Sequence, residues 1–343
     1  MRQHFPELDG LRGLAVLAVV LYHFGVPFAP GGSLGVDVFF VLSGFVVTRA
    51  LLRGLGEPGW RWRFLVRRFW RLMPAMGALL LAAAVWFWIQ GRGIDAAEWS
   101  ALAGGLAMTY NWAHLFASAD RDVIHLWSLA IEWQFYLLAP LLMGLAPRSL
   151  LWLIALLAAG SVVLRATLLA SDVQAMTVYM LTVTRLEGLL LGMFIGMLSV
   201  ARLARLPPWA GGLGGAAVLL LMVSVPRWYT DPNTWLVLGP LLATLAGGAV
   251  IVCAAASPEV PRVLRWLDTR VLRWLGERSY SIYLWHFFLG VTVMAGGSES
   301  FQGLPMLTAQ IAVSLLAAVA SYEWIEKRWR SGPALAAAPQ VKP

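Results

Sequence analysis

Residues 34–53 read LGVDVFFVLSGFVVTRALLR. The run is apolar through its middle, carries one carboxylate (Asp37) near its start and keeps its arginines, Arg49 and Arg53, at its end. Twenty residues in a helix rise about 30 Å, the thickness of the hydrocarbon core of a bilayer. Working outward, windows of the same kind fall at 10–27, 72–90, 127–145, 149–169, 178–200, 210–226, 235–256, 276–296 and 305–325. The whole chain agrees with that reading. Of 343 residues, 59% are hydrophobic and 13% charged, with a mean hydropathy of +0.72; soluble domains run near about 45–50% apolar and about 25% charged. A water-soluble enzyme of ordinary type, a disordered tail and a disulfide scaffold are excluded. Cys253 is the single cysteine, so neither an internal disulfide nor a paired-cysteine metal pattern is available, and no metal site is expected. The fold class is therefore all-α: a polytopic membrane helical bundle of about ten transmembrane helices.

Charge placement sets the sidedness. With ten spans and both termini cytoplasmic, all Lys and Arg lie in cytoplasmic segments or at helix ends except Arg92, Arg121 and Arg227 in outer loops and Arg165 and Arg185 inside spans. The stretch 100–118 is apolar but interrupted by Tyr110, Asn111, Trp112 and His114, and reads as interfacial or re-entrant. An eleventh span there would turn the arginines of 262–278 outward, against the positive-inside bias. The net charge of +8 thus reflects topology and attraction to anionic headgroups of the lipid bilayer; no nucleic-acid motif is present and no nucleic-acid partner is expected. The reading gives one membrane domain, 1–330, followed by a short cytoplasmic Ala/Pro tail, 331–343.

Ionisable side chains are costly inside a bilayer, which makes each one a functional candidate. Arg12 and His23 are eleven residues apart, so they share one helix face about 16 Å apart along the axis. Asp37 sits across the following hairpin at a depth similar to His23, close enough to orient its imidazole, or else faces outer water as an N-terminal carboxylate. His125, Ser128 and Glu132 follow the i, i+3, i+7 rule, with Glu132 expected in the outer half. Arg185 and Glu187 lie beside Gly188, Gly192 and Gly196, a stripe that reads as close helix packing. Arg185 is open to two readings: it snorkels outward, or it neutralises Glu132 or a developing oxyanion. Ser279, Tyr283 and His286 form a polar stripe from the cytoplasmic side to mid-membrane. Arg67, Arg68 and Arg71 crowd the loop 54–71, either as a topological stop signal or as an anion site, since guanidinium forks match phosphate oxygens.

In order along the chain, FPELDGLRG at 5–13 with the Arg12-x10-His23 spacing, GVDVFFVLSGF at 35–45, RRFWRLMP at 67–74, WSLAIE at 127–132 and SYSIYLWH at 279–286 resemble the acyltransferase-3 family of integral membrane O-acyltransferases. The resemblance implies transfer of an acyl group, usually acetyl, from cytoplasmic acyl-coenzyme A to a sugar hydroxyl on an envelope glycan or polysaccharide, at the bacterial inner membrane. It selects His23 as general base, with Asp37 or Glu132 holding its tautomer and Arg185, Tyr283 and His286 as oxyanion donors. Arg12, Arg67, Arg68, Arg71, Ser279 and Tyr283 are the donor-binding candidates. Two rivals remain: a transporter with an ionisable relay of Asp37, Glu132, His23 and His286, and an enzyme acylating an intracellular small molecule such as a macrolide sugar. The absence of an internal repeat argues against the transporter.

Overall fold

The computed structural model describes residues 4–91, 95–198, 203, 207–224 and 232–329, and every regular element among them is helical. Helix α1 (Pro6–His23) starts with proline and two acidic residues in its first turn, as suits a helix N-terminus. A short turn leads to α2 (Gly35–Gly54) and α3 (Trp60–Ile89). Two short helices, α4 (Ala96–Leu106) and α5 (Tyr110–Ala117), precede α6 (Leu126–Leu142) and α7 (Pro147–Ala170). Next come α8 (Ala175–Met180), α9 (Glu187–Met197), α10 (Pro208–Val223), α11 (Pro232–Ala256) and α12 (Arg270–Glu277). Helix α13 (Ser279–Trp285) widens into a π-helix over His286–Met294, and α14 (Leu304–Ser321) continues through a π-turn to Trp329.

Five helical stretches among the described residues are long and apolar enough to cross a membrane: Gly32–Gly54, Trp60–Ile89, Pro147–Ala170, Asn233–Ala256 and Leu304–Trp329. Helices α6, α9 and most of α10 are shorter apolar helices, and α1 carries Glu7, Asp9 and Arg12. The long helices fall into two kinds. In α2, 78% of the apolar window is buried against neighbours, whereas in α7 and α14 the share is 22%. Helix α2 is therefore central and the other two peripheral, with Trp152, Leu156 and Leu316 turned outward.

Two expectations are corrected. The arginine-rich segment is not a loop: α3 begins at Trp60, so Arg67, Arg68 and Arg71 occupy one helix face at i, i+3/i+4 spacing. Pro74 sits inside α3, where Tyr280 donates a hydrogen bond to the nearby Leu72 carbonyl at 2.7 Å. The window 178–200 is not one helix. It breaks between α8 and α9, and Arg165 from α7 fills the break, donating to the Thr184 carbonyl at 2.6 Å and the Val237 carbonyl at 3.1 Å while pairing with Glu187. The stretch 100–118 is two helices, α4 and α5, that pack on α3 and α6; at 11 and 8 residues neither reaches across a hydrocarbon core.

The glycine stripe has a direct physical use. A Cβ on Gly192 would lie 2.1 Å from the Val41 carbonyl oxygen, and one on Gly44 would lie 2.0 Å from that of Leu189. Backbones of α2 and α9 therefore touch, which fixes α9 against the central helix. Arg2, Arg92, Arg202, Arg205, Arg227, Arg330, Lys342 and the tail 331–343 lie outside the described residues.

Candidate active site

Three cavities follow one another through the bundle. At the end carrying the start of α3, Arg53, Arg63, Arg67, Arg68 and Arg71 line a cavity of about 500 Å³. Arg68 and Arg71 also line a small inner pocket of about 70 Å³, together with Arg12, Ser43, Glu132, Tyr136, Ser279 and Tyr283. Beyond it lies a cavity of about 470 Å³ lined by His23, His125, Tyr22, Trp127, Tyr179 and Trp235, with Arg121 and Glu299 also on its wall. Partial burial pushes the Glu299 carboxyl above its usual value, while the Arg121 guanidinium pulls it down.

The inner pocket owes its polarity to matched spacings. On α1, Arg12 faces it and His23 faces the far cavity, as one helix face requires. On α2, Val36, Phe39, Phe40, Ser43 and Val46 face it, an i, i+3, i+4, i+7 stripe. Ser43 and Tyr136 both donate to the Glu132 carboxylate, and the Arg68 guanidinium lies 5.4 Å from the ring centres of both Phe64 and Tyr136. Tyr283 donates to the His125 carbonyl at 2.9 Å and meets the Ser128 hydroxyl at 2.7 Å.

Three imidazoles converge at the far cavity. His286 Nδ1 lies 2.8 Å from the Tyr283 carbonyl and 3.2 Å from that of Ile282. Both are acceptors, so Nδ1 carries the proton and Nε2 of the neutral ring is a lone pair. His286 Nε2 is 3.1 Å from His23 Nδ1, which must then be the donor. The remaining nitrogen of His23, Nε2, is left basic on a ring that lines the cavity. His125 is held in the opposite tautomer: its Nε2 donates to the Leu284 carbonyl at 3.1 Å. Its Nδ1 is buried and has no partner among the described residues. Phe287 packs against both His23 and His125.

These positions rearrange the expected roles. Asp37 does not reach His23; it pairs with Arg185 at 2.7 Å, both fully or nearly fully buried. The reason is rotation about α2: Val36 faces the cavities, and the next residue, about 100° round, faces α9. Arg185 neither snorkels nor neutralises Glu132. It lies under Tyr179, with its guanidinium 4.5 Å from that ring and 5.6 Å from the Trp127 ring, behind the cavity wall. Glu132 is not beside His23 either. It is two turns further along α6 than His125 and so falls in the inner pocket. His286 has both nitrogens committed, so it positions His23 and is not free to donate to an oxyanion. Tyr283 is likewise occupied by Ser128 and the His125 carbonyl. Arg67 lines the arginine cavity but not the inner pocket, whereas Arg68 and Arg71 line both. Among the described residues no group of three or more His, Cys, Asp or Glu side chains forms a metal site.

Two features of the site escape a sequence reading in part. His125 is visible there only as a member of a polar stripe with Ser128 and Glu132; its place beside His286, with ring centres 6.0 Å apart, depends on α6 meeting α13. Tyr22, Tyr179 and Trp235 carry no local signal, because aromatic residues are common throughout this chain.

A helical bundle with membrane-length helices, an arginine-lined cavity at one end and a histidine-lined cavity at the other defines the class as membrane-embedded. The family follows from comparison with known proteins. The acyltransferase-3 model, described as an acyltransferase domain, matches residues 5–323, and the chain belongs to this family. It is 32% identical over 358 aligned positions to a Bacillus subtilis (strain 168) protein named "Putative peptidoglycan O-acetyltransferase YrhL", covering 96% of this chain and 55% of that one. It is 29% identical to the peptidoglycan O-acetyltransferase OatA of Listeria monocytogenes, covering 95% of this chain and 56% of the relative. The chain thus spans about half the length of these curated relatives. No solved structure matches it.

Proposed function

We propose that this chain is an integral membrane O-acyltransferase that moves an acetyl group from acetyl-coenzyme A to a sugar hydroxyl of an envelope glycan. The observation that carries the reading is the row of cavities, arginine-lined, then small and polar, then histidine- and aromatic-lined. Ten spans with both termini and the 54–71 segment cytoplasmic put the arginine cavity on the side where acyl-coenzyme A is made, in the bacterial inner membrane. The acceptor class is supported by the two relatives named for peptidoglycan O-acetylation.

The chemistry assigned to the residues is short. Arg67, Arg68 and Arg71 hold the anionic phosphates of the donor, with Arg12 and Ser279 deeper in the pocket. In the far cavity, His23 Nε2 accepts the proton of the acceptor hydroxyl as its oxygen forms a bond to the acyl carbon. The carbon–sulfur bond breaks and the coenzyme A thiolate leaves. His286 keeps the basic nitrogen of His23 facing the acceptor. The aromatic rings of Tyr22, Trp127 and Trp235 supply flat apolar faces for a sugar ring.

Two measurements test this. Purified protein given acetyl-coenzyme A and soluble peptidoglycan oligosaccharides should release coenzyme A in an acceptor-dependent way. Arg68→Ala and Arg71→Ala should raise the KM for acetyl-coenzyme A more than they lower kcat, because phosphate contacts far from the carbonyl hold ground and transition states alike. An unchanged donor KM in folded variants returns these arginines to a topological role.

Sidedness has its own test. In a Cys253→Ser background, Glu57→Cys should resist a membrane-impermeant thiol reagent in intact cells while Ser300→Cys reacts. The reverse labelling pattern overturns the topology.

A further inference from the structure

Among the described residues only two side chains, Val36 and Tyr283, line both the inner pocket and the far cavity. They mark the neck where the small inner pocket, about 70 Å³, meets the cavity of about 470 Å³. We propose that Val36, set against Tyr283, is the gauge of acyl-chain length, limiting the transferred group to about acetyl size. This rests on the reading above, in which the donor enters at the arginine end and the acceptor at the histidine end. Under it, the acyl carbon must meet the hydroxyl beside His23, so the acyl group has to lie in or pass this neck.

The two sides of the neck differ in what they can yield. Tyr283 is pinned by hydrogen bonds to Ser128 at 2.7 Å and to the His125 carbonyl at 2.9 Å, so its ring cannot swing aside without breaking both. Val36 is a β-branched residue in the first turn of α2, 5% exposed, with a single strongly preferred rotamer in a helix. Its helix is itself immobilised there: a Cβ on Gly35 would lie 2.5 Å from the Ala15 carbonyl oxygen, so α2 is already against α1 and has no room to retreat. Phe40, one turn on, continues the same apolar face and lines the same pocket. An acyl chain longer than acetyl would have to place its extra methylenes against this wall. Packed interiors register even one added methylene, and an apolar pocket discriminates by about 10- to 200-fold per methylene.

The experiment compares kcat/KM for acetyl- and butyryl-coenzyme A, with peptidoglycan oligosaccharide as acceptor and coenzyme A release as readout. Val36→Ala should move the acetyl-to-butyryl ratio toward butyryl by about tenfold or more. Val36→Ile should move it the other way and should lower propionyl transfer before acetyl transfer. The pair guards against a folding artefact, since a simple loss of folded protein scales all donors equally and leaves the ratio unchanged. If both variants transfer acetyl and keep the wild-type ratio, Val36 is not the gauge, although the enzyme reading stands. A wild-type protein that releases coenzyme A from neither donor overturns that reading and the gauge with it.

Discussion

His23→Gln is expected to lower acetyl transfer by about 10²- to 10⁴-fold, the range general acid–base catalysis supplies, while leaving the fold intact. Glutamine keeps a polar group near His286 Nε2, now 3.1 Å from His23 Nδ1, so packing and the local hydrogen bond are largely preserved. What it lacks is a basic lone pair, and a sugar hydroxyl is a poor nucleophile unless its proton is taken during attack. The measurement is acceptor-dependent coenzyme A release, read beside thermal unfolding in detergent. His286→Gln supplies the comparison. Its carboxamide oxygen can still accept from His23 Nδ1, so a residue that only positions His23 should cost less than His23 itself. Near-normal turnover in His23→Gln would make His23 structural. The next candidate is then His125, whose Nδ1 is the other lone pair in the cavity wall.

How much of this was legible in the amino-acid sequence follows from what a helix does and does not determine. Periodicity along one helix is intrinsic, so Arg12 and His23 on one face of α1, and Ser279 and Tyr283 on one face of α13, follow from spacing alone. Depth is nearly as legible, because rise per residue is constant. Azimuth relative to other helices is not. Asp37 has the depth of His23, yet it faces α9 and meets Arg185, 148 residues away in the chain. Nothing local distinguishes the face of α2 that carries Asp37 from the one that carries Val36. The same limit applies to His286, whose partner His23 lies 263 residues away.

Departures from regular helix were the other blind spot. The break between α8 and α9 is apolar enough to read as continuous, and within it Arg165 from α7 takes up the Thr184 carbonyl, which a continuous helix would have bonded internally. The π-helix at His286–Met294 changes the helical register just where His286 must meet His23. Such widened turns are common at functional sites, and apolar composition alone does not announce them. The early start of α3 is hidden for the opposite reason: the charge crowded into 61–71 reads as a loop where the chain is already helical.

The Asp37–Arg185 pair carries the second large effect. Both residues were candidates for direct roles in the chemistry, but their side chains are buried to 2% and 0% exposure and stand behind Trp127 and Tyr179. Arg185 reaches Asp37 with one nitrogen only; its Nε and Nη1, and Asp37 Oδ2, have no hydrogen-bond partner among the described residues, so aromatic faces take up the rest of the charge. Removing one member strands the other as an uncompensated charge, which costs about 3–5 kcal/mol in proteins generally. Arg185→Met keeps the stem that packs on Tyr179 yet leaves the Asp37 carboxylate alone, and should lower the thermal midpoint and the yield of folded protein sharply. Adding Asp37→Leu removes the stranded charge, so the double variant should recover most of that stability, since apolar replacement of a buried pair is often neutral. Activity then separates the two roles. A stable double variant that still transfers acetyl makes the pair a support for the cavity wall through Trp127 and Tyr179. A stable double variant that binds acetyl-coenzyme A normally but has lost transfer by more than about 10² would place Arg185 in the chemistry itself.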